Sequence, residues 1–171
     1  MAAANPMLEP RLVKVVVNIG VGEAGDKLIK AEKVMEMVTG AKPARTISRT
    51  TNRDWNLREG MPIGVRVTLR GESAEAFLKK AFYVRNGQIP DYSFDDAGNL
   101  NFGIADYTEF EGQRYDPEIG IFGMNVSVVL ERAGSRVKAR RIQPRRIPAH
   151  HRVTPQEAIS YMKSKFGIEV I

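Results

Sequence analysis

Two strand-like segments place polar and basic side chains on one side at two-residue spacing. In 62–70 and in 13–20, every odd position is apolar, and most even positions are polar, basic or glycine. The candidate binding residues at the even positions are Lys14, Asn18, Arg66, Thr68 and Arg70. Ammonium, guanidinium, amide and hydroxyl groups bind phosphates and sugars, so these strands together predict a nucleic-acid surface. An ordinary solvated sheet face has the same composition, and the pattern alone does not separate the two.

The predicted face has no aromatic residue among these positions, which excludes base stacking of the kind seen in RRM domains. It favours recognition of structured RNA through backbone, 2′-hydroxyl groups and shape. The aromatic residue that could stack is Trp55, which lies between Arg53 and Arg58 in the polar loop 50–60. A position tucked over the sheet edge is the alternative for this ring.

The strongest enzyme-like motif is Gly20-Val21-Gly22-Glu23-Ala24-Gly25, which matches G-x-G-x-x-G between a strand and a helix. Two features count against a dinucleotide site. The preceding strand alternates polar and apolar residues, whereas a Rossmann first strand is buried on both faces. Glu23 also brings a carboxylate to the position of the pyrophosphate. The motif favours a tight turn, and a nucleotide-dependent enzyme is the alternative function.

Metal-binding and acid–base chemistry have little support in the sequence. The histidines are adjacent, at 150 and 151, with no Asp, Glu or Cys near them, and the chain has no cysteine. Carboxylates cluster at Asp95-Asp96 and at Asp116-Pro117-Glu118, without a histidine or nucleophile beside them. We interpret them as turn formers or as a docking surface for a basic protein. The sequence therefore predicts no enzyme, cofactor or metal.

Charge is segregated along the chain, whose formal net charge is +6. The segment 42–70 has seven basic and two acidic residues, and 132–152 has eight basic and none acidic. By contrast, 86–120 holds eight acidic residues and one arginine. This separation predicts one electropositive and one electronegative region.

The basic arm, 133–152, has two prolines and little apolar content. Its cations are Arg136, Lys138, Arg140, Arg141, Arg145, Arg146 and Arg152. Uncompensated charges at this density repel one another unless phosphates neutralise them, which favours contact with nucleic acid over a solvated run. We expect the arm to extend from the core or to order on a partner.

The periodicities predict helices that alternate with half-exposed strands, which indicates a sheet covered by helices on one face only, plus the basic arm. Predicted strands are 13–19, 45–49, 62–70, 101–104 and 125–132, and predicted helices are 26–39, a second one capped by Ser73, and 155–166 with a Thr154 capping box. Residues 1–171 form one domain with a flexible lead-in, 1–10. Neither a membrane span nor a signal peptide is predicted, which favours the cytoplasm.

Three stretches carry a family resemblance. They are Lys14-Val15-Val16-Val17-Asn18-Ile19-Gly20-Val21-Gly22, Gly60-Met61-Pro62-Ile63-Gly64-Val65-Arg66-Val67-Thr68-Leu69-Arg70-Gly71, and Asp116-Pro117-Glu118-Ile119-Gly120-Ile121-Phe122-Gly123-Met124. Together they resemble the universal 5S-rRNA-binding protein family of the large ribosomal subunit (large-subunit protein five). The third stretch, the basic arm and the final helix are similar to the archaeal and eukaryotic branch.

The resemblance implies an α+β fold: an antiparallel sheet with helices packed on one face and an open RNA-binding face, plus the basic arm. It also implies a structural ribosomal protein in the central protuberance. Asn18 and Thr68 match 5S rRNA-contacting positions, whereas Ala41 replaces a contacting glutamine of bacterial members. The expected rRNA-binding residues are Lys14, Asn18, Lys42, Arg45, Thr46, Arg49, Arg66, Thr68 and Arg70. The loop expected to approach peptidyl-site tRNA includes Asn52, Arg53, Trp55, Asn56 and Arg58. Other implied partners are large-subunit rRNA, the other 5S-binding protein and a protein of the small-subunit head.

Overall fold

Strands and helices alternate along most of the chain, of which the computed structural model describes residues 5–171. The first part contains β1 (Arg11–Gly20), α1 (Asp26–Thr39), β2 (Ala44–Ile47), β3 (Pro62–Leu69), α2 (Gly71–Val84) and β4 (Gln88–Ile89). The second contains β5 (Leu100–Ile104), β6 (Met124–Glu131), α3 (Arg136–Ala139), α4 (Pro155–Phe166) and β7 (Glu169–Val170). Part of the predicted lead-in, residues 1–4, lies outside the described residues.

Five strands form the main sheet in the order β2-β3-β1-β6-β5, and every neighbouring pair is antiparallel. β1 is the central strand, paired with β3 along one edge and with β6 along the other. Helices α1 and α2 pack against β3 and β1. The predicted α+β class with an antiparallel sheet is confirmed.

The core lies between one sheet face and the helices. Val15, Val17 and Ile19 of β1 are at most 1% exposed, and the alternate residues of β3 and β6 are buried beside them. The apolar stripes of α1, α2 and α4 belong to the same cluster. Because burying one aliphatic side chain contributes about 1.5–3 kcal/mol, this face is fixed toward the helices. The polar alternate residues consequently face away from them.

Helix ends agree with the sequence at two of three helices. α1 ends at Gly40, whose left-handed backbone lets its N–H donate to the Glu36 carbonyl at 2.8 Å. At α4, the Thr154 hydroxyl accepts from the backbone N–H of Glu157, and the Glu157 carboxylate accepts from that of Thr154, so the capping box is confirmed. The Ser73 cap is wrong: α2 begins at Gly71, after an extended Arg70, and no side chain caps it.

Other boundaries differ by a few residues. β1 extends over Arg11–Gly20, beyond the predicted 13–19, because its pairing with β6 continues to Arg11 past a bulge. β2 covers Ala44–Ile47 instead of 45–49, since its pairing with β3 begins at Ala44 and ends at Ile47, one residue past an irregularity after Thr46. Neither change moves a residue between faces.

The basic arm is a folded loop, so the expectation that it extends from the core is wrong. It contains the short helix α3 and a 3-10 turn at Ala149–His151. The Arg145 N–H donates to the Val137 carbonyl at 3.1 Å, which closes the loop on itself. Beyond the arm, buried Val153 packs against Gly98, so the arm follows β6 at one end and is fixed against the turn before β5 at the other.

At the end of the chain, β7 pairs in parallel with β4, apart from the main sheet. No helix among residues 5–171 is both long and apolar enough to cross a membrane.

Candidate nucleic-acid interface

The sheet face turned away from the helices gathers polar side chains by strand register; we call it the open face. Asn18 lies between Arg66 of β3 and Asn125 of β6. Thr68 and Ser127 flank Val16 in the next row. Lys14, Asn18, Arg66 and Thr68, predicted to share one face, therefore do so.

Three residues of the open face were not among the predicted site residues. Asn125 and Ser127 belong to β6, and Asn101 of β5 pairs with Ser127. Their strands were predicted, but the sequence does not state that β6 lies beside β1. The alternation of β6 was the signal that could have identified two of them, because it places Asn125 and Ser127 opposite the buried valines.

Glycines keep the open face flat. A Cβ atom at Gly64 would lie 2.8 Å from the Ile19 carbonyl oxygen and 2.9 Å from the Thr46 hydroxyl oxygen, so no side chain fits there. Gly103 of β5 pairs with Asn125 and is exposed. A surface of low relief lets a broad, rigid ligand such as a nucleic-acid helix approach the strands closely.

The open face is cationic without being crowded. Lys14 and Arg66 project from it, and exposed Arg70 follows the end of β3. The one acidic residue among the described residues of the open face is Glu131. It lies opposite Arg11 in the strand register, at the far end of the sheet beside the arm. The middle of the face therefore presents amide, hydroxyl and guanidinium groups with no acidic group among them.

Arg45, predicted with the rRNA-binding residues, lies on the other side of the sheet. It pairs with buried Val65, and its guanidinium binds the carboxylate of Glu32 on α1. This hydrogen bond lowers the pKa of Glu32 from its ordinary value. The alternation of side chains in the four-residue strand β2 was too short to predict which face of the sheet Arg45 occupies.

The other predicted rRNA-binding residues between 42 and 49 lie in β2 or next to it. Thr46 pairs with Gly64 on the open face. Lys42 and Arg49 are exposed, just before and just after β2. The electropositive region predicted for 42–70 therefore includes the open face and its β2 edge, with Arg45 turned to the opposite side.

The connection between β2 and β3, residues 50–60, is a small hairpin. Asn52 and Leu57 exchange two backbone hydrogen bonds of 2.9 Å, and Asn56 adopts a left-handed backbone with φ 52°. At its tip, Trp55 is 71% exposed, so the alternative of a ring tucked over the sheet edge is wrong. Arg53 and Arg58 are also exposed.

The folded arm and the open face line a half-open cavity of about 590 Å³. Its lining includes Lys14 and Val129 of the sheet. It also includes cations of the arm, namely Lys138, Arg145, Arg146 and Arg152. The other basic residues of the arm, Arg136, Arg140 and Arg141, are exposed outside the lining.

Arg132 also lines this cavity. One guanidinium nitrogen donates to the Glu157 carboxylate at 2.6 Å and another to the His150 carbonyl at 3.0 Å. The Arg132 side chain is 9% exposed, and its buried Nε has no hydrogen-bond partner among residues 5–171. The His151 ring is fixed nearby by a 2.9 Å contact with the Ala133 carbonyl.

The glycine motif at 20–25 forms a structural turn. The backbone N–H groups of Val21 and Gly22 both donate to the Ile63 carbonyl, at 3.0 and 2.9 Å, and are thus engaged within the sheet. Glu23 forms an ion pair with Lys27 on α1. Both neighbours of β1 are antiparallel, which is incompatible with the parallel βαβ unit of a dinucleotide-binding domain.

The acidic segment divides into turn formers and exposed carboxylates. Asp106 and Asp116 accept hydrogen bonds from nearby backbone N–H groups, as expected for turn formers. Exposed carboxylates belong to Asp91, Asp95, Asp96, Glu109, Glu111 and Glu118. Within residues 5–171, no cluster of His, Cys, Asp and Glu could hold a metal ion.

Comparisons with known proteins agree with a nucleic-acid interface. A family model described as ribosomal protein L5 matches residues 5–58, and one described as the C-terminus of that ribosomal protein family matches 62–161. The large ribosomal subunit protein uL5 of Thermoplasma volcanium is 52% identical over 168 residues, which cover 98% of this chain and 99% of that protein. The uL5 protein of Methanococcus aeolicus is 49% identical over 168 residues, covering 96% and 93% of the two chains.

These matches define the class as ribosomal proteins, which are structural constituents of a ribonucleoprotein and not enzymes. Because the two models cover most of the chain and full-length relatives reach 52% identity, the chain belongs to the ribosomal protein L5 family. It is therefore a ribosome-bound, cytoplasmic constituent of the large subunit that partners ribosomal RNA. The predicted family resemblance is confirmed.

Proposed function

We propose that the open face binds 5S rRNA and holds it in the central protuberance of the large subunit. The observation that carries this proposal is the strand register, which brings Asn18, Arg66, Thr68, Asn125 and Ser127 onto one flat surface. Double-stranded RNA presents phosphates and 2′-hydroxyl groups across a wide, shallow minor groove. Amide, hydroxyl and guanidinium groups on a rigid sheet match that pattern.

The hairpin 50–60 is the proposed contact with peptidyl-site tRNA. Its exposed tip combines amide and guanidinium donors with a free ring, supplied by Asn52, Arg53, Trp55, Asn56 and Arg58. The internal hydrogen bonds hold these groups at one end of the sheet, away from the middle of the open face. Backbone contact through arginine, with stacking by Trp55, is the chemistry that such a tip offers.

The remaining surfaces suit the other implied partners. The basic arm suits the phosphates of large-subunit rRNA. The exposed carboxylates between Asp91 and Glu118 suit a basic protein surface and repel RNA phosphates. We assign that acidic side to protein neighbours, namely the other 5S-binding protein and a protein of the small-subunit head.

Two arginines on neighbouring strands test the open face as a matched pair. Arg66 projects from the open face, whereas Arg45 lies on the helix side and binds Glu32. We expect Arg66→Gln to weaken 5S rRNA binding by about 1–3 kcal/mol, and Arg45→Gln, with the same loss of charge, to have a much smaller effect. Gel-shift titrations at fixed salt measure both. Equal losses would show that only net charge matters and would contradict the assigned face.

The tRNA assignment is tested by replacing residues 51–59 with a short glycine link. The bonds that form the sheet lie outside this hairpin, so 5S rRNA binding should stay near normal. Ribosomes that carry the variant should retain peptidyl-site tRNA less well. Normal tRNA retention together with lost 5S rRNA binding would mean that the two surfaces are assigned the wrong way round.

A further inference from the structure

The cavity between the basic arm and the open face has the features of a ligand site beyond the flat sheet surface. Its volume of about 590 Å³ lies within the usual range for small-molecule sites, roughly 300–1,000 Å³. It is lined by apolar groups of Val129, Ile147 and Val153 as well as by cations. A site that only attracts small counterions would need no apolar lining. The apolar residues therefore indicate an anion that also carries an apolar or aromatic part.

The buried guanidinium of Arg132 gives an independent indication of an anion. Its side chain lines the cavity, is 9% exposed and keeps an unpartnered Nε. A buried charged donor without a partner is unfavourable, so such groups are usually satisfied by something bound. The Nε atom is shielded from the cavity in this structure, so a phosphate oxygen would reach it only after the guanidinium turns, and arginine forms its strongest hydrogen bonds with such charged oxygens.

The remaining lining groups suit a nucleoside. The His151 ring lines the cavity and can contact a base through its face. Glu131 also lines it and forms no ion pair with any described residue. A carboxylate is unfavourable beside a phosphate, but it accepts hydrogen bonds from the amino group of a base such as cytosine.

We propose that this cavity binds one unpaired nucleotide of ribosomal RNA, with a base that carries an amino group. The phosphate is held by the arm cations beside Arg132, and the base lies against the apolar lining residues toward Glu131. The site adds a second RNA contact to the proposed open face and shares Lys14 with it. Unpaired nucleotides splayed out of a helix are the elements that proteins recognise specifically in RNA.

The direct test uses the full chain with cytidine 5′-monophosphate, uridine 5′-monophosphate and inorganic phosphate as probes. The readout is the NMR signal of the Arg132 Nε–H group, which avoids mutating a residue whose loss would leave Glu157 unpaired. We expect the cytidine nucleotide to shift this signal at the lowest concentration, uridine nucleotide to need several-fold more, and phosphate to need about tenfold more.

Each other outcome overturns a stated part of the proposal. If phosphate is as effective as the nucleotides, the cavity is an anion site only. If cytidine and uridine nucleotides bind equally, the role of Glu131 is wrong. If no probe moves the Arg132 signal at concentrations where the fold is intact, the nucleotide site does not exist.

A second experiment separates the cavity from charge alone. The variant Lys138→Gln/Arg145→Gln/Arg146→Gln removes lining cations, and Arg136→Gln/Arg140→Gln/Arg141→Gln removes the same charge from outside the lining. We expect the first triple to lower cytidine-nucleotide affinity about tenfold and the second about twofold, because only the first removes direct charge-assisted hydrogen bonds. Equal reductions in affinity would contradict the cavity site.

The outcome for this site is distinguishable from that for the open face. Asn18→Ala with Thr68→Ala changes two open-face residues that do not line the cavity. Loss of 5S rRNA binding without loss of nucleotide binding supports two separate sites. If that double variant abolishes nucleotide binding while remaining folded, the probes bind the open face and the cavity assignment is wrong.

Discussion

The open face and the basic arm are both cationic, but they hold their side chains in different ways. On the open face, Asn18 belongs to a central strand that is hydrogen-bonded along both edges. In the arm, Arg140 is held by a 2.9 Å bond from its Nε to the Gln143 carbonyl, and Arg141 is exposed with no side-chain hydrogen bond among the described residues. The face therefore has few charges on a strand scaffold, whereas the arm has many charges on a folded loop whose cationic side chains are mostly exposed.

This difference separates two contributions to RNA binding. Rigidly placed hydrogen-bonding groups discriminate between RNA surfaces, because a misplaced acceptor leaves them unpaired. A dense run of cations releases counterions from any phosphate backbone and contributes affinity without discrimination. We therefore expect changes on the face to alter specificity, and changes to the arm cations to alter salt dependence in addition to any effect on the proposed nucleotide cavity.

The largest effect is expected when Arg136, Lys138, Arg140, Arg141, Arg145 and Arg146 are all replaced by glutamine. The plot of log affinity for ribosomal RNA against log salt should flatten by about 0.7–0.9 for each phosphate that the arm no longer neutralises. Filter-binding titrations over a salt series measure this slope. Thermal unfolding is the control, since these exposed side chains bury little apolar surface. An unchanged slope in a folded variant would contradict the assignment of the arm.

The next effect concerns specificity at the face. Asn18→Ala and Thr68→Ala should each weaken 5S rRNA binding by about 1–3 kcal/mol while leaving the salt slope unchanged, because neither side chain is charged. Circular dichroism checks that both variants fold. Full affinity in both folded variants, or a flattened slope, would remove the distinction between face and arm.

A smaller effect is expected where the arm rejoins the fold. Gly98 has φ +73°, and a Cβ atom there would lie 2.8 Å from a Val153 methyl group. We expect Gly98→Ala to lower the free energy of unfolding by about 1–3 kcal/mol, from backbone strain plus displacement of Val153. Urea denaturation measures it.

Gly112→Ala is the matched control for that change. Gly112 has φ +84°, but a Cβ atom added there would meet no other atom within 4 Å, so this variant isolates the effect of backbone strain. The difference between the two variants measures how firmly Val153 anchors the arm. Equal losses of stability would show that the anchor contributes nothing.

The smallest effect is expected from Glu32→Gln, on the helix side of the sheet. Arg45 lowers the pKa of folded Glu32, so the ion pair contributes stability above the unfolded pKa, near 4.5, and loses it as pH falls through the folded value. The variant should thus be slightly less stable at neutral pH and equal to the parent in strong acid. Because Arg45 is largely exposed, the difference should fade with added salt. A larger difference in acid would reverse the assigned sign.

Local sequence rules predicted the elements whose signals lie within one segment. The stripe of α1 and the stop at Gly40 predicted a helix with the observed bounds Asp26–Thr39. The alternation of 62–70 predicted which residues of β3 are exposed. The start of α2 was predicted wrongly because serine is a common helix N-cap residue, which pointed to Ser73. In the structure the helix already begins at Gly71.

Features that depend on distant segments were not predictable in the same way. Asn125 reaches Asn18 only because β6 lies beside β1, and strand order is set by packing of the whole core. Arg45 sits on the helix side because of its pairing with Val65, which a four-residue strand does not reveal. The segments that flank the arm are joined by the contact of Arg132 with Glu157, which are 25 residues apart.

The central position of β1 also affects how the chain folds during synthesis. Its pairing with β3 involves segments about fifty residues apart, whereas its pairing with β6 joins Arg11 to Glu131. Until the ribosome has released β6, the second edge of β1 has no partner, and an unpaired edge readily pairs with another chain. The sheet consequently closes late, and its slowest step is expected to be the long-range closure of β1 against β6.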